Sequence, residues 1–198
     1  MEHRCEGCNA CRVVCPADAI TLEEEDSGKK IMTVLEDESY LSRASLYPGA
    51  DGSGKLVSEI RKASLELNKG KNNLIIIDGS PGVGCSVMAS ITGVEFGLLV
   101  TEPTQSGFED FVRAYELAKH FRIKSYVAIN KYDLNEEMAD TIERYCDDNG
   151  IKVIGRIPYD VVVNKSNFES KPLVMYNDSI AGNEIKNMWN IIKNEMEV

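Results

Sequence analysis

A chain of 198 residues, 43% hydrophobic and 27% charged, is long enough to bury one sizeable core and has the composition of an ordinary globular protein. A net charge of −10 argues against a broad face for phosphate backbones, and no apolar run approaches the roughly 18 residues a membrane span needs. The opening stretch "MEHRCEGCNACRVVCP" has no apolar signal core. The expectation is a cytoplasmic protein that binds no nucleic acid and has no membrane span.

Four of the six cysteines fall in the first 15 residues, as Cys5-x2-Cys8-x2-Cys11-x3-Cys15-Pro16. Without a secretion signal, this density points to a metal site rather than to disulfides. Three tight steps closed by a proline match the bacterial ferredoxin run, whose thiolates grip a [4Fe–4S] cluster. The zinc alternative more often pairs two short knuckles far apart in sequence. In two-cluster ferredoxins the fourth cysteine of such a run serves the other cluster. Cys5, Cys8, Cys11 and Cys15 therefore make either one cluster together or half of a shared arrangement. His3 and His120 read as surface residues, and Cys85 and Cys146 as packing residues.

After the cysteines, "AITLEEEDSGKKIMTV" is expected to form two short strands around a polar turn at 25–29, which closes a ferredoxin-like module over 1–36. Residues 37–70 read as a connecting segment. In it, "LYPGADGSG" is turn chemistry and "KLVSEIRKASLEL" is an amphipathic helix with Leu56, Ile60, Ala63 and Leu67 on one face.

Over 71–198 strands and helices alternate. The predicted strands are 74–78, 95–101, 125–130 and 152–157, nearly continuous apolar runs suited to a sheet covered on both faces. Between them Ser106 and Glu109 suggest a capping box. A helix with Met138, Ile142, Tyr145 and Cys146 on one face should end at Gly150. The last helix carries Ile185, Met188, Trp189 and Ile192 at core-facing spacing. The expected fold class is α/β, a mostly parallel sheet flanked by helices, with the small cysteine-rich module ahead of it.

The stretch "IIIDGSPGVGCS" resembles a phosphate-binding P-loop, but Cys85 stands where that loop needs its lysine. A second near match, Gly49-x4-Gly54-Lys55, has the lysine but lacks the Ser/Thr for Mg2+. Neither reads as a working P-loop. The first is better described as a strand ending in Asp78, followed by a Gly/Pro loop. Such an aspartate either holds Mg2+ while the loop senses a γ-phosphate, or simply caps the next helix. Asn130-Lys131-Tyr132-Asp133 after a strand has the N-K-x-D pattern that reads a nucleotide base; the alternative is a polar turn. "IPYD" at 157–160 follows the next strand at the same expected edge, where open α/β sheets bind ligands.

Together, "CEGCNACRVVCPADAI", "PGADGSGKLVSEIRKAS", the stretch from "LIIIDGSPGVGCS" to "TEPTQSG", "AINKYDLN" and "IPYD" resemble the MinD/ParA-type P-loop ATPases that carry an inserted ferredoxin domain. The resemblance covers nearly the whole chain in the family's order. It implies that Asp78 is the Mg2+-associated aspartate and that Gly79, Pro81 and Gly82 form the phosphate-sensing loop. It also implies that Asn130 and Asp133 contact the base beside Pro158. The family binds Mg-ATP, although N-K-x-D by itself would also suit guanine.

The matching stretches begin inside the family's second ferredoxin run. Its K-G-G-x-G-K-[ST] segment and its first cysteine run do not occur in this sequence, as in a fragment, a mis-started reading frame or half of a split protein. The resemblance therefore implies weak ATP binding and negligible hydrolysis by this chain alone, and unpaired edges in the sheet. The role it implies is coupling nucleotide state to electron transfer or Fe–S cluster handling. The alternatives are a ferredoxin-type electron carrier on a non-catalytic α/β scaffold, or a non-catalytic partner subunit. The implied partners are a redox partner or Fe–S protein, and a second copy or a complementary P-loop chain.

Overall fold

The computed structural model describes residues 7–23, 26–50, 54–70 and 74–196. Cys5, His3 and Glu25, on which expectations were placed, lie outside these residues. Contacts divide the chain into two compact units, Met1–Thr92 and Gly93–Val198.

In the first unit, Cys11 sits on a single helical turn, α1 (Ala10–Val13), none of whose residues is buried. Strands β1 (Gly28–Val34) and β2 (Tyr40–Leu46) pair antiparallel from Gly28↔Leu46 to Val34↔Tyr40. The hairpin therefore turns at 36–39 and not at 25–29, and residues 19–22 form no strand. The turn chemistry explains the difference. Asp37 Oδ1 accepts from the Ser39 amide at 3.0 Å and from Ser39 Oγ at 2.6 Å, and Glu38 takes a left-handed φ of 65°.

Helix α2 (Gly54–Asn68) packs on β2, where Ser42 Oγ donates to the Ile60 carbonyl at 3.1 Å. Leu56, Ile60 and Ala63 are half-buried, but Leu67 is exposed at the helix end. Helix α3 (Cys85–Ile91) packs against α2. Arg61 of α2 donates to the carbonyls of Ala89 and Thr92, so a guanidinium caps the negative end of α3.

The apolar run 74–78 is not a strand. A strand is defined by its hydrogen-bonded neighbour, and among the described residues this run has none; Ile76 is left 78% exposed. Cys85 is also exposed rather than packed.

The second unit is built on a parallel sheet in the order β3 (Phe96–Thr101), β4 (Lys124–Asn130), β5 (Lys152–Ile157). Helices α4 (Gln105–His120) and α5 (Glu136–Asp148) connect the strands. Val127 and Ile129 face one side and pack with Phe111, Ile142 and Cys146; Tyr126 and Ala128 face the other and pack with Ile154 and Met188. Alternate residues of β4 thus enter two different cores, which is why the run is apolar throughout. Full burial of each larger side chain is worth about 1.5–3 kcal/mol.

α4 begins two residues earlier than the Ser106–Glu109 pair suggests. Thr104 is extended and its side chain accepts from the Gly107 amide at 2.9 Å, which makes it the N-cap and puts Ser106 inside the helix. α5 ends at Asp148, with Asn149 as its C-cap and Gly150 at φ 67° just beyond it. α6 (Val162–Glu169) was not foreseen, and α7 (Ile180–Met196) buries Met188 while Trp189 remains 38% exposed. No helix is long and apolar enough to cross a membrane among the described residues.

Candidate functional site

Three parallel strands end at one edge of the second unit, and their following residues meet there. Glu102 follows β3, Asn130 ends β4, and Pro158 follows β5. Glu102 Oε1 accepts from Lys131 Nζ at 2.8 Å and from Asn130 Nδ2 at 3.5 Å. This hydrogen bond, and then the carboxylate's charge, raises the Lys131 pKa above the usual lysine range. Lys131 takes a left-handed φ of 53° and so turns the chain sharply after the strand. A short 3-10 turn (Tyr132–Leu134) follows, and Asp133 Oδ1 accepts from the Tyr159 amide at 2.7 Å. Asp133 is thereby tied to the residue after Pro158. Beneath the turn, the Arg156 guanidinium lies 4.6 Å from the Tyr132 ring centre and bonds Asp140 at 3.1 Å.

One turn further, Asp160 is buried and acts as a hub. Its Oδ1 accepts from the Val162 amide at 2.8 Å; its Oδ2 accepts from Ser179 Oγ at 2.6 Å and from the Ala181 amide at 3.2 Å. The Ser179 hydroxyl, followed by the amides, holds the Asp160 pKa below the usual carboxylate range. Ser179 in turn caps α7 by accepting from the Gly182 amide at 2.8 Å. Asp160 thereby ties the loop after β5 to the starts of α6 and α7. Asp160, Ser179 and Glu102 did not emerge from the sequence reading. Glu102 carried a usable signal, since it is the first residue after a predicted strand, as Asn130 nearly is.

Asp78, Gly79, Pro81 and Gly82 lie in the first unit. All four are exposed, and the segment bends through Gly82 at φ 91° into Gly84, the N-cap of α3.

Cys8, Cys11 and Cys15 are free thiols, with Cys8 and Cys11 exposed. The Cys15 sulfur accepts from the Ala19 amide at 3.5 Å. That bond, with a further one from Ala17, lowers the Cys15 pKa toward the thiolate form that metal ligation needs. The donor set thus suits a thiolate-bound cluster. Among the described residues no three His, Cys, Asp or Glu side chains are gathered closely enough to hold a metal ion.

Residues 1–21 match the 4Fe-4S binding domain family. A Methanocaldococcus jannaschii protein named only as uncharacterized is 30% identical over 145 residues, 73% of this chain and 48% of its own. A second protein of that organism, named an uncharacterized ATP-binding protein, is 30% identical over 122 residues, 62% of this chain and 47% of its own. The iron-sulfur cluster carrier protein of Pyrococcus abyssi is 24% identical over 165 residues, 76% of this chain and 52% of its own. The Pyrococcus horikoshii septum site-determining protein MinD, solved with Mg-ADP, superposes with a TM-score of 0.59 at 22% identity, covering 73% of this chain and 57% of that one. A segment matching the 4Fe-4S binding domain family thus stands ahead of an α/β part in one chain. Its α/β part has the MinD-like P-loop NTPase fold, built on a parallel three-stranded sheet flanked by helices. The chain spans about half the length of the curated relatives it matches.

Proposed function

We propose that this is an Fe–S-binding MinD-type protein that couples nucleotide binding to electron transfer or to Fe–S cluster handling. One observation carries the reading: a single chain joins a segment matching the 4Fe-4S binding domain family to a MinD-like sheet. Cys5, Cys8, Cys11 and Cys15 hold the cluster, which supplies one-electron chemistry or serves as cargo. Asn130 and Asp133 read the base beside Pro158, with the Lys131 stem packed beneath. Asp78 acts on Mg2+, and Gly79, Pro81 and Gly82 sense the terminal phosphate. The working division is a ferredoxin-like module over 1–36, a connecting segment over 37–70 and a nucleotide-binding domain over 71–198. Thiolate ligation of this kind belongs to a reducing compartment, the cytoplasm.

The P-loop amides and lysine come from elsewhere, from the rest of a longer protein or from a complementary chain. The support is the edge strand β3, which is paired on one side only among the described residues. The redox partner is another Fe–S or electron-transfer protein. Calorimetry of the reconstituted chain with Mg-ATP and with Mg-GTP tests the nucleotide part. Neither should bind this chain alone more tightly than about 100 μM, roughly −5.5 kcal/mol. Micromolar binding by the chain alone would refute the division of labour proposed here.

A further inference from the structure

At the opposite end of the same strands, an open cleft of about 500 Å3 collects positive charge in a chain whose net charge is −10. Lys119, Arg122, Lys124 and Lys152 line it together with Tyr126 and a single carboxylate, Glu195 of α7. The topology explains the gathering. Lys124 and Lys152 are the first residues of neighbouring strands β4 and β5, and Lys119 and Arg122 stand at the end of α4 that leads into β4.

Glu195 occupies the cleft as an anion would. Its Oε2 accepts from Lys124 Nζ at 2.7 Å and from Tyr126 Oη at 3.0 Å, and its Oε1 accepts from Lys152 Nζ at 2.9 Å. Glu195 thus neutralises only two of the four cations that line the cleft. Arg122 has no ion-pair partner among the described residues, and Lys119 reaches only Glu116, at 3.7 Å. Lys124 is also held in place, its Nζ 5.4 Å from the Tyr126 ring centre and 5.5 Å from that of Phe96. The cleft volume is that of a small-molecule site, about 300–1,000 Å3.

We propose that this cleft binds a small polyanion, a phosphate ester or a polycarboxylate, which exchanges with the Glu195 carboxylate for the same cations. The site is independent of the nucleotide edge, since it lies at the amino-terminal ends of strands whose carboxyl ends carry Glu102, Asn130 and Pro158.

Nuclear magnetic resonance titration of the full chain at low ionic strength, with pyrophosphate and separately with citrate, tests this. The expected result is saturable shifts of the amides at 122–126 and 150–152. Glu195→Gln should tighten binding by about fivefold by removing the internal competitor, and Arg122→Gln should weaken it by about as much. A purely structural role for Glu195 would not tighten anion binding. Saturation by pyrophosphate alone assigns a phosphate ester, and by citrate alone a polycarboxylate. Circular dichroism checks that each variant is folded, and Lys119→Gln, expected to weaken binding, replaces Glu195→Gln if that variant unfolds. No saturable shift up to about 10 mM, shifts confined to 130–133, or affinities unmoved by the substitutions would overturn the proposal.

Discussion

Glu102 and Gly107 show how closely the base-side edge is fitted. Gly107 sits in the first turn of α4, where an added Cβ would lie 2.5 Å from the Glu102 carbonyl oxygen and 2.9 Å from Thr104 Oγ1. The obstacle is backbone, so it cannot swing aside, and the residue it would displace is the one that holds Lys131 and Asn130. Gly107→Ala is expected to lower stability by about 1–3 kcal/mol, read as a fall in the denaturant midpoint with an unchanged slope. Asp160 makes a second test. Asp160→Ala strands the Ser179 hydroxyl and two amides in a buried site, at a cost of about 1–3 kcal/mol or more. A loss below roughly 0.5 kcal/mol would mean that the hub is not holding α6 and α7 together.

At the scale of elements, α7 is fastened to the sheet by Glu195. The Lys124 ammonium, followed by Lys152 and Tyr126, pulls the Glu195 carboxyl down to about 2, while Lys124 is raised to about 12 by the same contact seen from its other end. A carboxyl depressed in the folded state stabilises it above its unfolded value near 4.5, and that contribution is lost as pH falls through about 2. The melting temperatures of wild type and Glu195→Gln should therefore differ at pH 7 and converge between pH 4.5 and 2. A difference constant over that range would remove the ion pair from the account.

The same elements show what the sequence makes legible. β4, β5 and α5 were readable because their apolar periods report directly on the two cores they enter. The hairpin was misplaced because 25–29 and 36–39 are equally polar, and only the Asp37–Ser39 bonds decide between them. Met188 and Trp189 were both expected in the core from their spacing; Met188 is buried there, while Trp189 stays 38% exposed.

Across the whole molecule, the positions of the candidate residues at the sheet edge were more legible than the partners that hold them. Asn130, Asp133 and Pro158 could be placed because each follows a recognisable strand. The hydrogen bonds that organise this edge come from Glu102 and the Tyr159 amide, and local patterning does not report contacts across strands. The run 74–78 shows what local patterning does not contain. Its residues suit a buried strand, but a strand also needs a neighbour, which no local window contains.

Whether Cys5, Cys8, Cys11 and Cys15 hold a cluster is decided by anaerobic reconstitution of the full chain with ferrous iron and sulfide. Iron and acid-labile sulfide are counted, and paramagnetic resonance is recorded after reduction with dithionite. The account predicts a [4Fe–4S] signal from the wild-type chain that is lost in Cys11→Ser. Failure to retain iron, or tight zinc binding at the same cysteines in its place, would contradict it.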